Sequence, residues 1–379
     1  MKVALVCDWL TNVGGAEKVL LELHHLFPKA PIYTSKYNKK GIDWFSDAEV
    51  RTGWLQIFPS GLRRVLGPFR QWYFSHLDLS GYDLIISVTG AEAKAVKSGK
   101  WLHEHNAKNV KCPNGLHISF CHVPTQYYWG MYDDYVKDPG FGFLNPIVRC
   151  CFKMIVKPLR KADLEASSHP DCYITISEYA KAQIQKYYKR EATVIHPPVE
   201  IESFRRDIDD DTSSDYYIVT SRQVNWKRID LAVKACLKME RKLLVVGEGP
   251  EHKRLMREAG ESGLIKFLPL VEKSDLAELL AGAKGYLFPS KEPFGIAPVE
   301  ALATGCPVIA FQEGGAKDYV KDGKNGLLFE KQTVKSLFEA MEQFERMKFD
   351  RKEVSKSAEQ FDVKRFDKEI KEFVDEKTK

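Results

Sequence analysis

The stretch from Gly285 to Leu328, GYLFPSKEPFGIAPVEALATGCPVIAFQEGGAKDYVKDGKNGLL, decides how the rest of this chain is read. Apolar run length and Gly/Pro punctuation predict a strand over Tyr286 to Phe288, a loop, a helix from about Ala297 to Thr304 and a second strand over Val308 to Phe311. That order is a βαβ unit. Glu292 falls in the loop before the helix and Glu300 within it. Gly295 lets backbone approach a ligand closely, and the N–H groups of Phe294, Gly295, Ile296 and Ala297 open a helix. Orphan donors and the helix dipole favour phosphate there. An anionic ligand with hydroxyls on either side suits this arrangement; taken alone, the same residues also read as a buried turn with two solvated glutamates.

The string E-P-F-G-I-x-P-x-E-A-x-A-x-G-x-P-V-I-A, followed by G-G-x-x-D, resembles the signature of retaining glycosyltransferases of family 4. The resemblance implies the GT-B fold: two Rossmann-like α/β domains facing across a cleft, the donor held mostly by the second and the acceptor by the first. It also implies that Glu292 contacts the transferred sugar, that Glu300 holds the ribose hydroxyls, and that backbone at Phe294 to Ala297 meets the donor diphosphate.

A chain of 379 residues predicts two domains, and 44% hydrophobic with 29% charged residues is the composition of a soluble globular protein. The formal charge of +5 is mild and argues against nucleic-acid binding as the main function. Eight cysteines without C-x-x-C or zinc spacing, several inside apolar runs, read as reduced thiols and predict a cytoplasmic protein. The opening MKVALVCDWL has an apolar run interrupted by Asp8, too short for the core of a signal peptide. No run reaches the roughly 18 apolar residues of a spanning helix. Membrane contact is therefore expected to be peripheral.

From the amino terminus, Lys2 to Cys7 reads as a strand, TNVGG as a turn, and Ala16 to Phe27 as a helix. Gly14 and Gly15 do not complete G-x-G-x-x-G, so the dinucleotide fingerprint of an NAD enzyme is missing. They are compatible with a plain tight turn; the resemblance implies instead that Gly14, Gly15 and Glu17 form a loop approaching the donor phosphates. Ala30 to Tyr37, Asp83 to Val88 and Leu116 to Cys121 read as further strands. His122, at the carboxyl end of the last, stands where open α/β sheets place ligand-binding groups, although a lone histidine also serves as a structural residue. The string C-H-x-P-x-x-Y-x-W-x-x-Y-D-x-Y resembles the bacterial polysaccharide and O-antigen mannosyltransferase branch of the family. This implies that His122 lies beside the donor sugar, with Tyr127, Tyr128, Trp129 and Asp133 on the acceptor side.

Two acid-free basic runs lie in this half, Arg51 to Leu77 and Phe141 to Ala162. The first carries Arg51, Arg63, Arg64 and Arg70 among Trp54, Phe58, Phe69, Trp72, Tyr73 and Phe74. The second carries Arg149, Lys153, Lys157, Arg160 and Lys161. Such mixtures suit an anionic membrane surface; the first run also reads as core aromatics with solvated arginines at their edge.

His196 to Ser214 reads as the linker, and its Asp209, Asp210 and Asp211 as a solvated acidic loop. Strand and helix patterns then restart at Tyr216. The predicted organisation is an acceptor domain over 1–200, a nucleotide-sugar domain over 215–358, and a helix over 359–379 that returns to the first domain. Between the first strand and helix of the second half, SRQVNWKRID places Arg222 and Lys227 at a strand end. A bidentate Arg and a point-charge Lys suit a diphosphate, and the resemblance assigns both to the donor pyrophosphate. It also places Leu270 and Val271 against the nucleotide base.

The expectation is a metal-independent hexosyltransferase acting from a nucleoside-diphosphate sugar, GDP-mannose by branch resemblance, on a lipid-linked glycan or polysaccharide. A UDP-hexose transferase of the same fold, a nucleotide-sugar epimerase and a non-catalytic nucleotide-binding subunit stand as alternatives.

Overall fold

The computed structural model describes residues 1–59, 66–137, 142, 145–206 and 215–379. Arg63, Arg64, Phe141 and the Asp209–Asp211 triplet lie outside the described residues. The chain divides into unit 1, Met1–Pro197 with Asp367–Lys379, and unit 2, Pro198–Phe366.

Unit 1 is built on seven strands: β1 Val3–Cys7, β2 Ile32–Thr34, β3 Val50–Thr52, β4 Leu84–Thr89, β5 Leu116–Cys121, β6 Cys172–Thr175 and β7 Thr193–Val194. They pair in parallel in the order β3-β2-β1-β4-β5-β6-β7. The near-continuous apolar runs VALVC and LIISVT follow from burial on both faces, as a helix-covered parallel sheet demands. Helices α1 Gly15–Leu26, α2 Gly67–Ser75, α3 Gly99–Glu104, α4 Tyr132–Lys137, α5 Asn145–Ala166 and α6 Glu178–Tyr188 intervene. The Ser177 hydroxyl accepts from the Ala180 N–H, an N-cap read from the sequence.

Unit 2 repeats the scheme with six strands: β8 Tyr216–Thr220, β9 Lys242–Val246, β10 Ile265–Leu268, β11 Gly285–Phe288, β12 Val308–Phe311 and β13 Gly326–Phe329. Their order is β10-β9-β8-β11-β12-β13, again parallel throughout. Its helices are α7 Ile201–Phe204, α8 Ile229–Met239, α9 His252–Ala259, α10 Lys273–Ala281, α11 Ile296–Ala303, α12 Ala316–Tyr319, α13 Val334–Glu345 and α14 Arg351–Lys356. A last helix, α15 Val363–Thr378, begins in unit 2 and continues in unit 1, where Ile370, Phe373 and Val374 are buried.

Both sheets reverse their strand order once, between β1 and β4 in unit 1 and between β8 and β11 in unit 2. At such a switch the connections leave in opposite directions, opening a crevice at the carboxyl ends of the strands where α/β proteins bind ligands. The expected strand over Ala30 to Tyr37 contracts to Ile32–Thr34. Pro31 has no N–H for the ladder, and beyond Thr34 the Ser35 hydroxyl turns to donate to the Asp8 carbonyl.

Candidate functional site

In unit 2 the loops after β8 and β11 carry the charged residues to the switch point. The 3-10 turn Asn225–Lys227 brings Lys227 round so that its Nζ lies 2.5 Å from Glu292 Oε1. Ser290, 2% exposed, donates its hydroxyl to the same oxygen at 2.7 Å. Arg222 is exposed, its guanidinium 5.9 Å from the Trp226 ring centroid. Lys227 and Glu292, 65 positions apart in sequence, are thus adjacent side chains of one site.

The motif glycines act through backbone space. Gly295 precedes α11 at φ 96°, a conformation that L side chains rarely adopt, and a Cβ there would lie 2.5 Å from the Phe288 ring. Gly314, at φ 120°, lies under the Glu292 carbonyl, which a Cβ would meet at 2.4 Å. The Gly315 N–H donates to that carbonyl at 2.8 Å. The G-G pair therefore seats the Glu292 loop. Phe294 is buried, with its carbonyl accepting from the Tyr319 hydroxyl and its ring packed against Tyr319 and Phe361. Glu300 sits in α11 and is 8% exposed. Leu270 and Val271 follow β10, Leu270 being 84% exposed.

In unit 1, His122 follows β5 directly. Its backbone N–H donates to the Thr89 carbonyl, and its ring lies edge-on to Phe120. Burial holds the imidazole down to about 4, so it is neutral at pH 7, and its Nε2 has no hydrogen-bond partner among the described residues. Gly14 is the N-cap of α1 and Gly15 its first residue.

Three of the four expected acceptor-side residues have internal partners. Tyr127 donates to Glu92 at 2.6 Å, Trp129 Nε1 donates to Asp163 at 2.7 Å, and Tyr128 is 4% exposed. Asp133 is exposed on α4.

Sequence reading missed the buried charges behind these residues. Asp8 accepts from the Thr89 hydroxyl and from the N–H groups of Gly90, Ala91 and Ala93, tying the end of β1 to the loop after β4. Glu92 pairs with Arg70 at 2.9 Å, both side chains nearly inaccessible. Asp163 accepts from Lys94, Thr125, Trp129 and Tyr188. The one available signal was an acidic residue breaking an apolar strand run, as Asp8 does.

The basic runs need correction on the same ground. Arg70, counted as a surface cation, is a buried ion-pair partner; Arg51 pairs with Glu49 at 2.7 Å; Tyr73 and Phe74 are core. Arg160 donates to the Tyr128 carbonyl and lies over Trp129 and Tyr132. What faces outward is Trp54, Ile57, Phe69 and Trp72, and, along α5, Met154 and Ile155 with Lys153, Lys157 and Lys161. α2 and α5 are neighbours, the Gln71 amide donating to the Ala162 carbonyl. Among the described residues no helix is long and apolar enough to cross a membrane, and no three His, Cys, Asp or Glu side chains gather to hold a metal ion.

The model of the family described as "Glycosyl transferases group 1" matches residues 200–361. A glycosyltransferase of Methanocaldococcus jannaschii, MJ1178, is 29% identical over 177 residues, covering 46% of this chain and 49% of its own length. A glycogen synthase of Pseudomonas syringae is 28% identical over 186 residues, covering 47% of this chain and 36% of its own. The chain thus spans about half or less of the length of these curated relatives. Among solved structures, Anabaena Alr3699/HepE in complex with UDP superposes with a TM-score of 0.69 at 18% identity, covering 99% of this chain and 100% of that one. The lipopolysaccharide outer core galactosyltransferase WaaB, in its apo form, gives a TM-score of 0.70 at 15% identity, with 100% of both chains covered. The chain therefore has the GT-B fold, and its second unit matches the glycosyl transferases group 1 family.

Proposed function

We propose that this protein is a retaining hexosyltransferase that takes its sugar from a nucleoside diphosphate bound on unit 2 and delivers it to a hydroxyl of a lipid-linked glycan or polysaccharide bound on unit 1. The observation that carries the reading is the convergence of Arg222, Lys227, Glu292 and the start of α11 at the carboxyl ends of β8 and β11. Two cations and a helix amino terminus meet the charge that develops on a departing diphosphate. One preorganised group of this kind lowers a barrier by about 3 kcal/mol. In this mechanism no divalent metal takes part. Glu300 holds the ribose hydroxyls and Leu270 with Val271 covers the base.

The anomeric C–O bond to phosphate breaks while the acceptor oxygen attacks the same face, and the acceptor's proton passes to the leaving phosphate oxygen. Glu292 and His122 are each assigned to orientation of the sugar rather than to proton transfer; no protein nucleophile is assigned. The neutral imidazole of His122 suits a hydrogen-bonding and packing role rather than proton transfer at pH 7. Gly14 and Gly15 are assigned to the donor phosphates, and Asp133 with the Tyr127–Trp129 segment to the acceptor. The branch resemblance favours GDP-mannose, while HepE with UDP favours a UDP-hexose. A thermal-shift panel of UDP, UDP-glucose, GDP and GDP-mannose, with and without EDTA, separates them, because a ligand of the folded state raises its stability. A shift with one nucleotide that survives EDTA is expected; none with any of the four overturns the proposal.

The acceptor reading gains support from the outward aromatics of α2 and of the 3-10 turn Trp54–Ile57, and from the outward lysines of α5. Trp54 is 42%, Phe69 52% and Trp72 54% exposed, a costly array unless an apolar phase covers it. An anionic lipid surface matches both the aromatics and the lysines. We read the protein as cytoplasmic and peripheral to a membrane, which these exposed side chains support. Co-sedimentation with phosphatidylglycerol vesicles, but not phosphatidylcholine vesicles, is the expected result; loss of binding in Trp72→Ser and Lys157→Glu localises it, and equal binding to neither or both vesicles refutes it.

A further inference from the structure

Glu292 is held by one oxygen only. Ser290 Oγ at 2.7 Å and Lys227 Nζ at 2.5 Å both reach Oε1. Among the described residues Oε2 accepts no hydrogen bond, and the Glu292 side chain keeps 19% of its surface exposed. The backbone of the same residue is pinned by the Gly315 N–H. The result is a carboxylate held at Oε1 from two sides, with no hydrogen bond on Oε2 among the described residues.

The two holders differ in kind. Lys227 is flexible, 23% exposed, and carries the charge that an arriving diphosphate attracts. Ser290 is 2% exposed, on the three-residue step from β11 to Glu292, where the Pro289 carbonyl is itself held by the Gln332 amide at 2.9 Å. A buried hydroxyl has no competing ligand. A diphosphate bound beside Arg222 and Lys227 would share the ammonium between two anions and leave Glu292 repelled by the phosphates and held by Ser290.

We propose that Ser290 is a positioning residue for transfer: its buried hydroxyl keeps Oε1 of Glu292 in place while Lys227 engages the diphosphate, so that Oε2 faces the hydroxyls of the transferred sugar. This rests on the reading of unit 2 as the donor site. Ser290 acts through Glu292 and touches no substrate atom. The hydrogen bond accepted by a charged carboxylate sets the size of the effect.

The test compares wild type, Ser290→Ala and Ser290→Thr, the last retaining the hydroxyl. Binding of UDP and GDP is measured by calorimetry, and release of nucleoside diphosphate from UDP-glucose and GDP-mannose by a coupled assay, each variant being checked by its thermal melting. Ser290→Ala is expected to bind the nucleoside diphosphate within about twofold of wild type while its kcat for sugar release falls by about tenfold or more. Ser290→Thr is expected to restore most of that loss. Equal turnover in Ser290→Ala and wild type overturns the proposal, as does a parallel loss of nucleoside diphosphate binding, which marks a collapsed loop rather than a misaligned carboxylate. Failure of the wild type to bind either nucleoside diphosphate overturns the donor-site reading itself, and the proposal with it.

Discussion

Replacing Asp163 by Asn should unfold unit 1 far more readily than a one-atom change suggests. Lys94 and Asp163 are each 1% exposed, their charged atoms 2.6 Å apart. Burial alone favours a neutral amine on Lys94, but the Asp163 carboxylate outweighs it and the net shift is upward. Both carboxylate oxygens are filled, Oδ1 by Lys94 and Thr125, Oδ2 by Trp129 and Tyr188. An amide removes the charge and turns an N–H₂ towards one group that can only donate, the Lys94 ammonium or the Trp129 indole, beside a hydroxyl that can turn to accept. Breaking one partner of a buried pair costs about 3–5 kcal/mol, because the remaining charge stays buried. With a urea m-value of about 3 kcal/mol per M, the unit 1 midpoint should fall by about 1–1.7 M. Trp226 lies in unit 2 and the other six of the seven tryptophans in unit 1, so intrinsic fluorescence reports mainly on unit 1. Adding Lys94→Met to Asp163→Asn should recover part of the loss by removing the stranded ammonium. If Asp163→Asn denatures within about 0.5 kcal/mol of wild type, or Lys94→Met recovers nothing, the buried pair does not carry the stability argued here.

Glu345 accepts both Arg241 nitrogens at 2.8 Å and Lys284 at 3.0 Å, and these bonds, Arg241's first, hold its carboxyl down to about 2 from the ordinary 4.5. With 15% of the side chain exposed, solvent screening reduces its contribution to about 1–2 kcal/mol. For a depressed acid that stability is present above the unfolded pKa and lost as pH falls through the folded one, so Glu345→Gln should melt below wild type at pH 7 and converge on it only as pH falls to about 2. A gap unchanged with pH in thermal melts contradicts this. Arg222→Ala, at an exposed position, should leave the melting temperature unchanged while weakening nucleoside diphosphate binding by about tenfold or more. Calorimetry showing undiminished binding removes Arg222 from the clamp.

The unit 2 site was legible because its chemistry is local. Glu292, Gly295 and Glu300 belong to one loop and helix, and Gly314 with Gly315 to the return connection, so spacing and residue type announce them. Ser290 was missed although it stands two residues before Glu292, since a serine after a strand is an ordinary turn residue until its hydroxyl is seen on the carboxylate. Tyr128 and Trp129 show the converse. An aromatic beside a candidate histidine reads as a ligand contact, and packing adds what the sequence does not show, that Trp129 also donates to Asp163, 34 residues on.

What the sequence by itself determined is the alternation of strands and helices, the two-unit plan and the glycine-bearing loops around Glu292, because period, run length and Gly/Pro placement act over a few residues. What only the tertiary structure decided is which charges are surface and which are core. Arg70 and Glu92 lie 22 positions apart, and Lys94 and Asp163 lie 69 apart; each pair meets only once the sheet has ordered its strands. A charge in sequence carries no mark of burial. Its partner, brought in from another element, is what makes burial affordable.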